Sequence, residues 1–234
     1  MIPAVEGFPV RLQALPRTIR LVTTARLREA VLKALADTTE ELDLLARLEG
    51  ATSARLGAAA GRLPGLPPED LVGRVPHAAF VNAAFAYAQP RSLNRFNGPG
   101  RGAWYAAMAV RTALAEVSFH LTNHLRDAGV FEAVVEYVEM HAAFAGAFLD
   151  LREAAPPPDC LHPDPARGYP AGNALAAAVM AAGHNGILYP SLRDPGGICL
   201  VALWPHAVQS PAQGAIWRLR WAGRAEPEVE RVAG

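Results

Sequence analysis

The chain has 234 residues, with 22 basic side chains balanced by 22 acidic ones, a pI near 7.1 and 51% hydrophobic residues. That is enough apolar material for a sizeable core and argues against a disordered chain. The absence of a basic excess argues against a general nucleic-acid or membrane-surface binder. Lys33 is the only lysine, so almost all the positive charge is arginine.

Residues 1–23 are punctuated by proline and read as extended. They carry Glu6 and Arg11 inside their most apolar part, unlike a secretory leader. From residue 24 to about 60 the spacing of Leu27, Val31, Leu32 and Leu35 predicts a helix with one apolar face. Thr38-Thr39-Glu40-Glu41 would restart a second helix, continued by Leu42, Leu44, Leu45 and Leu48. The stretch GRLPGLPPED then breaks the pattern, which places a boundary near residues 61–76.

Beyond it, residues 80–87, 95–96 and 103–107 read as short strands, the last two joined by a GPGRG hairpin loop at 98–102. Residues 112–123 predict a helix. Residues 131–140 alternate as a strand, with Phe131, Ala133, Val135 and Tyr137 on one face. A proline-rich loop at 156–165 precedes a small-residue helix over 171–182, ending at Gly183. Residues 186–189 and 198–204 read as buried strands, and 216–221 as the last strand. Without a regular alternation of strand and helix, an α+β domain is expected rather than a doubly wound sheet.

The domain division that follows is a mainly helical extension at 1–75 packing on the core, a core domain at 76–225 and a tail at 226–234. Two cysteines, Cys160 and Cys199, make no disulfide framework. The apolar run at 174–182 is about half a membrane span. A soluble cytoplasmic protein is expected, with no membrane and no direct nucleic-acid contact.

Three clusters carry side chains suited to chemistry. Glu116 and His120 stand at i and i+4, one turn apart on one helical face. Such a pair serves acid–base chemistry or orients a substrate; the plain alternative is a partly exposed helix-surface pair. His124 continues the spacing, but the pattern is not HExxH and no third ligand is evident, so no metal site is expected. In RFNGPGRGAWYAA (95–107), Arg95 and Arg101 flank glycines and Tyr105 follows. Arginine forks bind phosphate oxygens, and glycines let a backbone approach them; a plain hairpin turn with a core tyrosine is the alternative. In GILYPSLRDPGG (186–197), Ser191 and Arg193 stand at the end of a buried strand, without a nucleophile-elbow pattern. A strand-capping serine in a hairpin is the competing reading.

Taken in order, RFNGPGRGAWYAA, TALAEVSFH and GYPAGNALAAAVMAAGHNGILYPSLRDPGGICLVALWP resemble the RES domain family, named for polar Arg, Glu and Ser residues. A fainter resemblance reaches LARLEG and LPPEDLVGRV upstream and QGAIWRLRW downstream, covering about residues 42–223. The chain has LNRFNG where the family often has a Gly-Gly-Arg-Trp-Asn segment. The resemblance implies a compact fold like the ADP-ribosyltransferases around a cleft for NAD. It also implies a bacterial toxin that consumes NAD by phosphorolysis or hydrolysis of the nicotinamide–ribose bond. NAD is then substrate rather than cofactor, and inorganic phosphate a candidate co-substrate. The implied partner is an antitoxin of the Xre helix-turn-helix type. A mono-ADP-ribosyltransferase acting on a protein is the alternative activity.

By position, Arg95, Glu116 and Ser191 are the catalytic residues the resemblance implies. Arg95 would hold the pyrophosphate, Tyr105 flank nicotinamide and Ser191 hydrogen-bond a ribose or phosphate. His120 and Arg193 are further NAD contacts. The apolar helices of the first third would pack on a surface, and a homodimer is one expectation for them.

Overall fold

The computed structural model describes residues 2–24, 66–73, 76–86 and 93–232. The helices expected at 24–60, and the dimer surface inferred from them, lie outside the described residues apart from Thr24. Among the described residues there are three α-helices and seven strands. The strands are β1 (Val10–Thr23), β2 (Trp104–Ala107), β3 (Glu132–Asp150), β4 (Gly186–Pro190), β5 (Ile198–Ala202), β6 (Gln209–Ala222) and β7 (Glu228–Val232). The helices are α1 (Ala78–Ala86), α2 (Val110–Ala128) and α3 (Pro165–Ala181).

The sheet runs β1-β2-β5-β4-β3-β6-β7, and β1 also pairs with β3. Five strands, β1, β2, β5, β4 and β3, therefore close into a ring. β3 makes this possible by its length. One of its edges takes β1 from Val10↔Leu149 to Thr23↔Tyr137, while the other takes β6 and then, at Phe148–Asp150, β4. Register shifts in β3 against both β1 and β6 supply the curvature. β3–β4 is the parallel pair, and α3 lies in its crossover, as a parallel neighbour requires. The ring is closed between β1 and β2 by one residue pair, Ile19↔Ala107.

The pleat sorts each short strand onto two covered faces. Ile187, Tyr189, Cys199 and Val201 join a cluster with Leu175, Ala176 and Val179 of α3. Leu188, Leu200 and Ala202 join the opposite cluster with Val81 and Phe85 of α1. Burial on both faces is why ILY and ICLVA read as continuous apolar runs. A third cluster seats α2 on the β3–β6 sheet: Leu114, Val117, Leu121 and Leu125 cover Tyr137, Leu219 and Trp221. Phe131, Ala133 and Val135 belong to that cluster too, as their alternation predicts, while Val134 on the opposite face is 61% exposed.

Several expectations are corrected. Residues 80–86 are helix rather than strand, since Val81 and Phe85, one turn apart, are both wholly buried. Residues 95–96 form no strand. They sit in a bend in which the Asn94 amide donates to the Asn97 carbonyl, so GPGRG is not a hairpin loop. β1 lies within the stretch assigned to the extension, yet it pairs with β3 along nearly its whole length. The segment expected to be a tail contains β7, paired with β6 from Ile216↔Val232 to Arg220↔Glu228. α3 begins six residues before the expected start, with Pro165 in its first turn and the Asp164 side chain accepting from the Ala166 amide. Among the described residues no helix is long and apolar enough to cross a membrane.

Candidate active site

A cavity of about 270 Å³ opens beside the single bridge that closes the strand ring. Its walls are Ile19, Arg20 and Leu21 of β1, Tyr105–Ala107 of β2, and Ala113, Glu116, Val117 and His120 of α2. Asn94 and Arg95, Tyr169 of α3, Tyr189, Cys199, and Leu192 and Arg193 after β4 complete it. β1 and β2 share one bridge, and the cavity lies next to it. The volume is near the lower end of small-molecule sites.

Glu116 is brought to Ser191 although 75 residues separate them. The Ser191 hydroxyl donates to Glu116 Oε1 at 2.6 Å, and its oxygen accepts from the backbone amides of Arg193 and Asp194, both at 3.1 Å. Ser191 is thus fully engaged and 8% exposed. It lies behind Glu116 rather than on the cavity wall, and its proton orients the carboxylate. The Cys199 thiol, 3.8 Å from Glu116 Oε1, is pushed up to about 12 by burial and by that carboxylate. At neutral pH it is a packed thiol, not a nucleophile.

Arg95 is fixed by the segment that leads into α3 and by α3 itself. Its Nη1 donates to the carbonyls of Cys160 (2.6 Å) and His162 (3.1 Å), and its guanidinium carbon lies 5.3 Å from the Tyr169 ring centroid. Gly168 and Gly172, four apart on α3, let that backbone approach closely. A Cβ at 172 would overlap the Arg95 carbonyl oxygen, and one at 168 would sit 2.6 Å from the His162 carbonyl oxygen and 3.0 Å from Arg95 Nη1. Tyr105 presents its ring to the cavity. Its hydroxyl donates to Asn97 Oδ1 and accepts from the Phe96 amide, both at 2.9 Å. Burial raises that phenol far above its ordinary range, so it stays neutral.

Arg193 lies over Phe119, its guanidinium carbon 3.4 Å from the ring centroid, and burial lowers its pKa. His120 is open to solvent at the cavity mouth, yet the protein packed around its ring lowers its pKa more than Glu116 raises it. The imidazole is therefore neutral at pH 7. Three arginines, Arg20, Arg95 and Arg193, thus line the cavity against one carboxylate, a balance suited to an anionic ligand.

Besides Ser191, two sequence candidates fall outside the cavity. Arg101 donates to Asp70 Oδ2 (3.1 Å) and to the Leu203 carbonyl (3.2 Å), and stacks on Trp204 as a structural clasp. His124 is exposed and does not line the cavity, and the described residues contain no group of three potential metal ligands. Sequence reasoning missed Arg20, Tyr169, Tyr189 and Asn94. Arg20 sits in β1, where its Nη1 donates to the Tyr105 carbonyl at 3.3 Å and its guanidinium lies 5.1 Å from the Trp104 ring. No local motif marks it, because only the closing of β1 onto β2 brings it to the site. Tyr189 lies within GILYPSLRDPGG, where its place in an apolar run reads only as buried strand.

In comparisons with known proteins, a family model described as RES domain matches residues 71–222. The comparison with curated proteins finds no match. Among solved structures, the chain is similar to one from the crystal structure of the M. tuberculosis MbcT–MbcA toxin–antitoxin complex, at 20% identity and a TM-score of 0.37. That match covers 54% of this chain and 74% of the other. With the matched segment spanning Arg95 and Glu116 of the cavity and the Ser191 that supports Glu116, the chain belongs to the RES domain family.

Proposed function

We propose that the chain is the toxin of a toxin–antitoxin pair and cleaves the nicotinamide–ribose bond of NAD, with phosphate or water as acceptor. RES membership supports the toxin reading. The observation that carries the chemistry is the Glu116 carboxylate, oriented by the Ser191 hydroxyl, in a cavity whose lining includes three arginines and three tyrosines. The ADP-ribosyltransferase-like fold and the Xre-type antitoxin implied by the sequence resemblance belong to the same proposal.

When the C1′–N bond breaks, its electron pair leaves with nicotinamide, which departs neutral and needs no general acid. Positive charge builds on the ribose, and a fixed carboxylate beside it stabilises that transition state. Glu116 takes this role. Ser191 holds its orientation, so no reorganisation is required as the charge develops. Arg95, with Nη1 held by two carbonyls, offers its remaining edge to the pyrophosphate, and Arg193 and Arg20 add positive charge to the same cavity. The faces of Tyr105 and Tyr169 are suited to flanking a flat ring. A phosphate acceptor attacks as an anion. A water acceptor loses a proton, for which Glu116 and the neutral His120 are the bases at hand.

The test is NAD loss by purified protein with and without inorganic phosphate, beside Glu116→Gln. Wild type should consume NAD, and the variant should lose roughly 10²-fold or more of the rate. Near wild-type turnover in the variant would remove Glu116 from the mechanism. Phosphate dependence identifies phosphorolysis, and phosphate-independent loss identifies hydrolysis. The second reading, a mono-ADP-ribosyltransferase, uses the same cavity, and label from NAD appearing on a protein would favour it.

A further inference from the structure

We propose that Asp194 is a positioning residue that, with Thr112, clamps the Ser191 turn onto α2 and so holds the Ser191 hydroxyl on Glu116. This rests on the proposed reading only for its catalytic consequence; the clamp itself is geometric. Asp194 is 7% exposed and Thr112 1% exposed. The Thr112 hydroxyl donates to Asp194 Oδ2 at 2.6 Å, and Arg111 Nη2 lies 3.0 Å from Asp194 Oδ1. Neither Asp194 nor Thr112 lines the cavity.

Thr112 and Glu116 stand four apart on α2 and so share one face. Asp194 and Ser191 stand three apart in the turn that faces it. Two hydrogen bonds therefore run side by side between the same two elements, Thr112 to Asp194 and Ser191 to Glu116. The turn is closed within itself as well. The Ser191 amide donates to the Gly197 carbonyl, the Gly197 amide to the Asp194 carbonyl, and the Asp194 amide to Ser191 Oγ. A Cβ at 197 would come within 2.7 Å of both Asp194 Oδ2 and Thr112 Oγ1, so glycine permits the close approach.

α2 itself explains why a carboxylate belongs there. Ala109 caps it without a side-chain hydrogen bond, and its first turn holds no acid. Asp194 supplies from another segment the negative charge that a helix N-terminus favours. Anchoring the turn at the first turn of α2 fixes its position one helical turn later, at Glu116.

The test compares wild type with Thr112→Val, Thr112→Ser and Asp194→Ala in the full chain. One readout is amide hydrogen exchange at Arg193 and Asp194, whose amides donate to Ser191 Oγ. The other is kcat and KM for NAD loss. Thr112→Val keeps the side-chain shape and removes only the hydroxyl. It and Asp194→Ala, which leaves no acceptor for the Thr112 hydroxyl, should speed exchange at those two amides about tenfold, the equivalent of one buried hydrogen bond. Exchange at Val201 in β5 should not change. Both variants should lower kcat by a similar factor with KM within about twofold, and Thr112→Ser should restore both readouts. Unchanged exchange in both variants overturns the clamp. Faster exchange with unchanged kcat overturns its positioning role. A wild-type protein that leaves NAD intact defeats the proposed reaction instead, and the exchange readout then decides the clamp by itself.

Discussion

Replacing Ser191 with alanine separates what this serine does for the fold from what Glu116 does for the chemistry. The substitution removes one hydrogen bond to a carboxylate and two accepted from backbone amides. A hydrogen bond to a charged group contributes about 1.5–3 kcal/mol, and a neutral one about 0.5–1.5 kcal/mol. Glu116 faces the cavity and regains water, so the charged contribution belongs at the bottom of its range. The Asp194 amide lies on a buried residue and is left without its acceptor. The expected loss is roughly 2–4 kcal/mol. For a chain of this size that corresponds to a fall in Tm of about 5–15 °C. Glu116→Gln provides the contrast, because its amide oxygen still accepts the Ser191 proton; its stability should stay within about 1 kcal/mol of wild type. Thermal and urea unfolding followed by circular dichroism measure both variants, with coincident transitions by a second probe as the two-state check. A Ser191→Ala protein melting within 2 °C of wild type, about the shift of a single weak bond, would refute the hydrogen-bond accounting. A Glu116→Gln protein losing as much stability as Ser191→Ala would show that the charge, not the serine, holds the turn.

Three further outcomes are expected. Gly172→Ala forces a methyl into the Arg95 carbonyl and should cost roughly 1–3 kcal/mol in a denaturant melt; an unchanged midpoint would mean that α3 does not set the position of Arg95. Asp150 is 6% exposed, and its hydrogen bond from Arg152 holds its carboxyl below the usual range against the opposing effect of burial. A lowered folded pKa stabilises above the unfolded value and loses that contribution as pH falls through the folded one. Asp150→Asn should therefore narrow the stability gap between pH 7 and acid, and parallel urea titrations that show the same gap would contradict it. The His120 imidazole should titrate below its ordinary value of 6.5 by NMR, with stability declining as pH falls from that value towards the folded midpoint. A midpoint at or above 6.5 would remove its neutral role.

The parts of this protein legible in the sequence are those set by neighbours along the chain. The helical spacing of Leu114, Val117, Leu121 and Leu125 and the alternation of Phe131, Ala133, Val135 and Tyr137 each mark one apolar face, and those faces meet in one cluster. The doubly buried strands β4 and β5 announced themselves as unbroken apolar runs. The motifs that hold Glu116 and Ser191 carried the family. Where local signals competed, they misled: aromatic and β-branched residues at 80–87 read as strand, but the i, i+4 pair Val81 and Phe85 had a core face waiting for a helix.

Tertiary structure alone decided the ring and the cavity. β1 meets β3 across more than a hundred residues of sequence, and no pattern local to either specifies that pairing. Arg20 reaches the cavity only because Ile19 bridges Ala107, and the Arg95 backbone sits close against α3 because Gly172 has no side chain there. Ser191 reads in sequence as a substrate contact, but three hydrogen bonds turn it into the support of Glu116. A periodicity records which face of an element is apolar. It carries no record of which distant element will cover that face, because that choice is made by the packing of the whole chain.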